Sequence, residues 1–258
     1  KITCPESLAV NFVDRHYGIG GDGIVLIERS DIADAKMRIF NQDGSEGMMA
    51  GNAIRCVAKY LYEKGIVKKS AMTIETMSGV REVKVYSFGG VVTSASADLG
   101  VVELRGECIP SVWKGERVVG QPMEIDGATY HVTLVNLGNP HCVIFCDKVD
   151  DVPVETLGPR IENSEYFPAK TNVEFIRVVN ESTVKMRVWE RGNGETWACG
   201  TGAAAAAVAC VLNGMCRADT DITVKVKGGD LIVRYNSEDG HVTLTGNVEK
   251  IYEGTVEF

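Results

Sequence analysis

One segment, WACGTGAAAAAVA at residues 197–209, constrains the fold of this 258-residue chain more than any other. Its five consecutive alanines favour a helix, which we predict to run onward from Gly202 or Ala203. The first N–H groups of a helix have no intrahelical acceptor, and with the helix dipole they favour negative charge. A cysteine in that position can have its pKa lowered from about 8.5 to roughly 3.5–7.5. The segment therefore predicts a thiolate base at Cys199 beside an anion-binding cradle.

The overall composition excludes several classes of protein. A net charge of −8 argues against a general nucleic-acid binder, which needs a basic surface. No apolar run approaches the ~20 residues of a membrane span, and no signal peptide follows Lys1. The eight cysteines form no CxxC pair, so we expect neither a disulfide scaffold nor a metal site. The composition favours a protein with free thiols in the cytoplasm.

Apolar periodicity predicts two series of strands, each containing one helix. The first series includes IVLIE, MRIFN and a helix over residues 53–65, which Gly65 terminates. The second ends with the alanine-rich helix, residues 203–213, followed by two hairpins that close the chain. This order predicts an α/β (α+β) fold of two similar domains. We place them at residues 1–102, completed by 246–258, and at residues 103–245.

The starts of the two predicted helices resemble each other. Residues 50–61 read AGNAIRCVAKYL and residues 199–210 read CGTGAAAAAVAC. Each has a small residue or cysteine, then glycine, a polar residue and an apolar helix. Either the chain contains a weak internal repeat, or two common helix starts coincide by chance.

A glycine-rich segment, GIGGDG at residues 18–23, matches the G-x-G-x-x-G pattern literally. A dinucleotide site requires a strand before this pattern and a helix after it. Here the apolar run IVLIE follows instead. We therefore predict a turn or a close approach of two backbone segments.

The segment FNQDGSEGMMAGNAIRC, residues 40–56, allows two interpretations. In the structural one, Asn41, Asp43 and Gly44 form a turn and Asn52 caps a helix. In the functional one, the N–H groups at the helix start bind a second anion. The parallel with residues 199–202 favours the functional interpretation.

Three further segments with polar residues precede Cys199. Asn139 and His141 flank a proline in NLGNPHC, and Asn172 begins the strand KTNVEF. Glu190 and Arg191 lie just upstream of the cysteine. Taken singly, a hydrogen-bonded structural histidine, a turn asparagine and a solvated ion pair are the ordinary interpretations. An arginine near a helix start, however, is also suited to binding a carboxylate with two hydrogen bonds.

Taken in order, the motifs FNxDGSE, AGNAIRC, NPH, TNVEF and ERGxGETxACGTGAxAAA resemble the diaminopimelate epimerase family over nearly the whole chain. The resemblance implies two pseudo-symmetric domains, each a mixed β-sheet or barrel wrapped around a central helix. It places the active site in the interdomain cleft. It also implies epimerisation of LL-diaminopimelate to meso-diaminopimelate without a cofactor, in the lysine and peptidoglycan pathway. The expected partner is this small substrate, and a homodimer stays open as the assembly.

The resemblance also assigns roles to individual residues. Cys199 is one acid/base, and His141 and Glu190 tune the thiols or orient the reacting end. The reacting carboxylate and amine are held by Gly51, Asn52, Gly200 and Thr201. The distal amino-carboxylate is held by Asn41, Asn139, Asn172 and Arg191.

The chain departs from the family pattern at three places. Ala50 stands where the family has its second catalytic cysteine, and Cys56 lies six residues further on, too far to replace it. The family's first strand and its Gly-Asn-Asp-Phe segment are absent, so we expect part of the natural N-terminus to be missing. Gly23 occupies a position that is Gln in some relatives. We predict that the chain binds diaminopimelate but epimerises it negligibly.

Two other functions compete with this one. Another cofactor-independent racemase, for histidine, proline or glutamate, would leave the distal polar residues without partners, which is costly when they are buried. A non-catalytic relative that only binds diaminopimelate is the alternative that Ala50 favours.

Overall fold

The computed structural model describes residues 2–48 and 50–256 of the chain. Contacts divide it into two compact units, which we treat separately. Unit 1 contains the residues up to 97 and those from 245 onward, and unit 2 contains residues 98–244. The helices are α1 (Pro5–Phe12), α2 (Gly51–Glu63), α3 (Val154–Glu162) and α4 (Gly200–Leu212), with 3₁₀ turns at Gly106–Cys108 and Val149–Asp151.

Unit 1 contains a mixed sheet with the strand order β1-β2-β4-β5-β6. Strands β2 and β4 are parallel, the other neighbours are antiparallel, and the short β3 pairs with β2. The bounds are β1 (Gly23–Glu28), β2 (Ala35–Asn41), β3 (Glu46–Gly47), β4 (Ala71–Thr76), β5 (Gly79–Phe88) and β6 (Val91–Val101). Strands β6 and β15 (His241–Asn247) each have residues in both units.

Helix α2 supplies the centre of the unit 1 core. Its apolar residues recur every three or four positions, which places them on one face of the helix. They pack with buried side chains of the sheet such as Met37 and Ile74. The helix residues in this cluster are Ile54, Val57, Ala58 and Leu61. Gly65, predicted as the terminating residue, has φ +66° and follows the last turn directly.

Unit 2 contains a larger mixed sheet with the strand order β14-β13-β11-β10-β9-β8-β7. The pairs β9–β10 and β11–β13 are parallel, and β12 pairs with β11. The bounds are β7 (Gln121–Ile125), β8 (Ala128–Asn136), β9 (Pro140–Phe145), β10 (Asn172–Asn180), β11 (Thr183–Glu190), β12 (Gly194–Thr196), β13 (Asp221–Val226) and β14 (Gly229–Tyr235).

Helix α4 lies at the centre of unit 2. It begins at Gly200, two to three residues earlier than predicted, and contacts six strands, from β8–β11 to β13 and β14. Residues 203–209 are all completely buried. A helix that is apolar on every side is typically enclosed, and alanine side chains let the surrounding strands approach its backbone closely. The alanine run therefore specifies a central helix.

The glycine-rich segment forms the close backbone approach that its sequence predicts. A Cβ atom at Gly18 would lie 2.4 Å from the carbonyl oxygen of Asn11, and Gly20 has φ +87°. Gly23 begins β1, where a Cβ would lie 2.5 Å from the carbonyl oxygen of Phe40. Glycine is thus required at Gly18 and Gly23 because any side chain would overlap backbone atoms.

Other parts of the secondary structure differ from the prediction. Helices α1 and α3 were not expected. The predicted hairpin at the C-terminal end is wrong, because residues 248–256 form neither helix nor strand, and its last two residues lie outside the described part. Across residues 2–48 and 50–256, no helix combines the length and apolar character that crossing a membrane requires.

Gly158 in α3 gives a test of packing in unit 2. Replacing a helical glycine by alanine normally stabilises a helix by about 1 kcal/mol. Here the new Cβ would lie 2.5 Å from Cγ of Trp189, so we expect Gly158→Ala to destabilise unit 2 by about 1–3 kcal/mol through overpacking. Urea denaturation measures the change. A Trp189→Leu background should reduce the loss, and equal or higher stability of the single variant would contradict this packing.

Candidate active site

The most distinctive site in unit 2 is the start of α4. Cys199 is the N-cap residue, with φ −126° and ψ 117°, and its sulfur accepts a hydrogen bond from the N–H of Gly202 at 3.3 Å. The hydroxyl oxygen of Thr201 lies 3.6 Å from the same sulfur. The N–H groups of Gly200 and Thr201 belong to the first turn and have no acceptor within the helix. The start of α4 thus combines a thiol with free backbone donors.

The pKa of Cys199 contradicts the expectation of a thiolate. Burial raises the pKa of this thiol far above its ordinary value, and the carboxylates of Glu190 and Glu174 raise it further. The hydrogen bonds from Thr201 and Gly202 act in the opposite direction but do not compensate. Cys199 is only 8% exposed, and desolvation can shift the pKa of a buried group by several units. At neutral pH the site therefore holds a protonated thiol, which is a proton donor.

A buried hydrogen-bond network connects this thiol to strands β9 and β10. His141 is completely buried, and its Nδ1 lies 2.7 Å from Oε1 of Glu174. Its Nε2 lies 3.0 Å from Oδ1 of Asn139. The amide nitrogen of Asn139 in turn donates to the hydroxyl oxygen of Thr201 at 3.3 Å. The order of contacts is therefore Glu174, His141, Asn139, Thr201 and the sulfur of Cys199.

Glu190 ends strand β11 and acts on the thiol through its charge. Its Oε1 accepts a hydrogen bond from the Thr196 hydroxyl at 2.5 Å. Burial raises the pKa of Glu190, and the negative charge of Glu174 adds to that effect. The carboxylate in contact with His141 is Glu174, a residue that the sequence analysis did not select. A glutamate between the apolar residues of TNVEF was its only signal.

Asn172 and Arg191 meet at the turn that follows β11. The side chain of Asn172 donates to the carbonyl of Pro140 at 2.8 Å and accepts from the backbone N–H of Arg191 at 2.9 Å. The guanidinium of Arg191 is exposed and donates to the carbonyl of Ala169 at 3.2 Å. Asn172 therefore ties the backbone before His141 to the backbone of Arg191.

A second buried carboxylate, Glu162 of α3, holds the same turn. It is 4% exposed. One oxygen accepts from the indole N–H of Trp189 at 2.7 Å and the other from the N–H of Gly192 at 3.2 Å. Sequence reasoning missed Glu162, because nothing in the local pattern of α3 indicates a partner 27 residues away.

In unit 1, the start of α2 has the same backbone geometry as the start of α4. Ala50 is the N-cap residue, with φ −136° and ψ 123°, and both helices are 13 residues long and begin with glycine. Ala50 provides no side-chain cap. The structural interpretation, in which Asn52 caps the helix, is wrong: Asn52 is the second helical residue, and its Oδ1 accepts from the N–H of Ala53 at 2.9 Å.

A buried arginine lies one turn further along α2. Arg55 is 5% exposed, and its guanidinium donates to the carbonyl of Gly51 at 2.8 Å. Its Nε has no hydrogen-bond partner. Burial lowers its pKa, and no carboxylate within residues 2–48 and 50–256 forms an ion pair with it. An unpaired buried cation near a helix start favours binding of an anion.

Asn41 ends β2 and begins the predicted turn, which the structure confirms. Its backbone N–H donates to the carbonyl of Ser45 at 2.9 Å, and its carbonyl accepts from the N–H of Gly44 at 3.0 Å. Gly44 has φ +82°. The hydrogen bonds from Ser45 lower the pKa of Asp43. The exposed side chain of Asn41 donates to the Ser45 hydroxyl at 3.0 Å.

The family model and three known sequences that match this chain carry the same family name. The family model described as "Diaminopimelate epimerase" matches residues 2–100 and 133–251. A relative of that name from Pelotomaculum thermopropionicum is 50% identical over 247 residues, covering 96% of this chain and 87% of the relative. Those from Desulfovibrio desulfuricans and Methanococcus maripaludis are 46% and 45% identical, covering 98% and 100% of this chain and 90% and 92% of the relatives.

Solved structures resemble the chain in fold at low sequence identity. A probable proline racemase from Agrobacterium radiobacter K84 has a TM-score of 0.68 at 16% identity, covering 94% of this chain and 78% of its own. A hydroxyproline epimerase from Agrobacterium vitis has a TM-score of 0.68 at 14% identity, covering 92% and 75%. These likenesses show the shared two-domain racemase and epimerase fold.

The ionisation state of Cys199 is open to direct measurement. We expect iodoacetamide to alkylate Cys199 much more slowly than the exposed Cys4, with a rate that reaches no plateau up to pH 9, because the raised pKa keeps most of the thiol protonated. Glu190→Gln removes a negative charge and lowers the pKa of Cys199, so its rate at fixed pH should rise roughly 3- to 10-fold. Peptide-resolved mass spectrometry separates the eight cysteines.

The matched control removes one charge at the surface. Glu181→Gln should leave the Cys199 rate unchanged, since Glu181 is exposed and pairs with Arg217. A Cys199 alkylation rate that is already at its plateau at pH 7 would show that the thiol is ionised, contrary to this account.

Proposed function

Because this chain belongs to the diaminopimelate epimerase family, we propose that its active-site groups act on the α-carbon of LL- and meso-diaminopimelate, an isomerisation in lysine and peptidoglycan-precursor synthesis. The observation that carries the proposal is the protonated thiol of Cys199 at the start of α4, where it lies beside free backbone donors. A group that gives a proton to a carbanion next to a carboxylate needs this combination.

Unit 2 has the parts required for one half of the reaction. The N–H groups of Gly200 and Thr201 bind the substrate carboxylate, whose negative charge increases when the α-proton leaves. Without an electron-withdrawing cofactor, such fixed donors carry the stabilisation of the carbanion. The S–H of Cys199 then donates its proton to one face of the carbon. The resulting thiolate accepts hydrogen bonds from the N–H of Gly202 and the hydroxyl of Thr201.

Unit 1 supports the binding of a carboxylate but lacks a proton-transfer group at the equivalent position. The N–H groups of Gly51 and Asn52 are free within the helix, and the buried cation of Arg55 favours an anion there. The methyl group of Ala50 neither accepts nor donates a proton. We therefore propose that the chain, as it stands, binds diaminopimelate and handles the α-proton from the Cys199 side alone.

Binding of the distal amino-carboxylate end gives the site its specificity for the substrate. Arg191 presents an exposed guanidinium suited to a carboxylate, and Asn41 presents an exposed amide. Asn139 and Asn172 lie deeper, where their amides already bind protein groups. Asn172 contributes by fixing the backbone of Arg191. These four polar groups favour a substrate with a second amino-carboxylate over proline or another substrate that lacks one.

The cellular setting follows from the same chemistry. The eight cysteines are free thiols, which is typical of a reducing compartment, and we propose the cytoplasm. The substrate is a small molecule, and the net charge of −8 disfavours a role with nucleic acid. A homodimer stays open as the assembly, and light scattering after size-exclusion chromatography decides it.

The first test uses the chain as it stands. In D2O we expect deuterium to enter the α-position of one epimer only, with no inversion, and the rate should increase with pH because proton removal needs the Cys199 thiolate. NMR and chiral chromatography measure the two processes separately. Cys199→Ala should abolish exchange. Inversion at rates comparable to deuterium uptake would refute the proposed single-sided chemistry.

The second test restores a thiol to unit 1. Ala50→Cys places sulfur at an N-cap whose backbone angles match those of Cys199. We expect epimerisation to increase at least about 100-fold, the lower end of the effect of a positioned acid or base. Cys56, which lies inside α2, is the matched control thiol. Adding Cys56→Ser to Ala50→Cys should not change this gain.

The alanine at position 50 also favours one other function, in which the chain binds diaminopimelate but catalyses no reaction. Binding measured by calorimetry, with neither exchange in the parent chain nor inversion in Ala50→Cys, would select that alternative.

A further inference from the structure

Glu162, the last residue of α3, is a buried carboxylate to which the proposed chemistry gives no role. Its Oε2 accepts a hydrogen bond from the indole N–H of Trp189 at 2.7 Å, and its Oε1 accepts one from the backbone N–H of Gly192 at 3.2 Å. In the chain, these two donors lie on either side of Glu190 and Arg191. One carboxylate on α3 therefore holds both ends of the segment that carries this pair.

The indole ring of Trp189 lies between α3 and the strand that follows the turn. A Cβ atom at Gly158 of α3 would lie 2.5 Å from Cγ of the ring, and a Cβ atom at Gly194 of β12 would lie 3.6 Å from its far edge. Helix α3 contacts both β11 and β12. The same ring presents its N–H to Glu162. Helix α3 therefore supports the turn between β11 and β12 from one side.

The backbone of this turn needs such support. Gly192 has φ +81°, and glycine loses more conformational freedom on ordering than any other residue. The N–H of Arg191 donates to Oδ1 of the buried Asn172 at 2.9 Å. The N–H of Gly192 donates to Glu162. Two consecutive N–H groups of the turn are thus anchored to buried side chains that come from different elements, β10 and α3.

The exposed guanidinium of Arg191 extends from this anchored backbone. Long side chains such as arginine lose considerable rotamer freedom when they are ordered. A backbone that also had to be ordered on binding would add to that cost. Fixing the backbone in advance lowers the cost of placing the guanidinium against an anion.

We propose that Glu162 is a positioning residue that fixes the turn of Arg191, so that the guanidinium is preorganised for the distal carboxylate of the substrate. Glu162 acts through Trp189 and Gly192 rather than by contact with the substrate. The identity of the ligand rests on the proposed function, whereas the anchoring of the turn does not.

The first test measures the anchoring without ligand. Glu162→Met keeps an unbranched side chain of similar length and removes both acceptor oxygens. Lys170→Met is the matched control, because the Lys170 ammonium lies 4.0 Å from Oε1 and donates neither of the two hydrogen bonds. Hydrogen exchange followed by NMR should show a protected Gly192 amide in the parent and the control, and exchange roughly 5- to 10-fold faster in Glu162→Met. An unprotected Gly192 amide in the parent would overturn the inference even if Glu162→Met does not fold.

The second test measures diaminopimelate binding by calorimetry. Glu162→Met should weaken binding on the order of 10-fold, because the guanidinium is no longer held in place. Lys170→Met, and Glu162→Met added to Arg191→Gln, should each change the affinity by less than about 2-fold, since neither acts on a placed guanidinium. Unchanged affinity in Glu162→Met, or an equal loss with and without Arg191→Gln, would overturn the inference. A parent that does not bind diaminopimelate but shows the expected Gly192 exchange would count against the proposed function alone.

Discussion

The complete burial of α4 is the constraint on which unit 2 depends. A helix lined on every side by alanine and valine lets strands approach from all directions, and six of them do. Its polar N-terminus then lies near residues of β10 and β11 whose charges act on Cys199, while His141 of β9 is connected to the sulfur through Asn139 and Thr201. Because the helix is held all round, the thiol and its backbone donors have little freedom to move. The enclosed helix thus fixes the position of the thiol to which we assign proton transfer.

Burial also decides the ionisation of Cys199. A helix N-terminus stabilises a thiolate by a modest amount, whereas loss of hydration and two nearby carboxylates raise the pKa by much more. The helix start therefore does not ionise the thiol in advance. In the proposed reaction its N–H groups instead stabilise a charge that forms only when the proton is transferred, which is the state that a catalyst must favour over the resting one.

Motifs near a helix start could be located from the sequence, but their distant partners could not. Both central helices, the turn at Asn41 and a cysteine close to a helix start were predicted from alanine content, apolar spacing and turn residues, although α4 begins two to three residues earlier than predicted. Glu174 and Glu162 were missed because their partners lie 33 and 27 residues away. Helix α3 was missed because it contains Gly-Pro, which disfavours a helix locally, while packing of Gly158 against Trp189 compensates.

The starts of α2 and α4 have similar backbone geometry, but the charged groups around them differ. At the third helical position α4 has Gly202, which lets a carboxylate approach, whereas α2 has Ala53, whose N–H is taken by Asn52. Carboxylates surround the start of α4, and the unpaired cation of Arg55 lies near the start of α2. A thiol held protonated in one unit and a positive field in the other suit an acid and a base. The same fold element therefore has opposite electrostatic surroundings in the two units, and in the proposed reaction the identity of residue 50 determines whether a base is present.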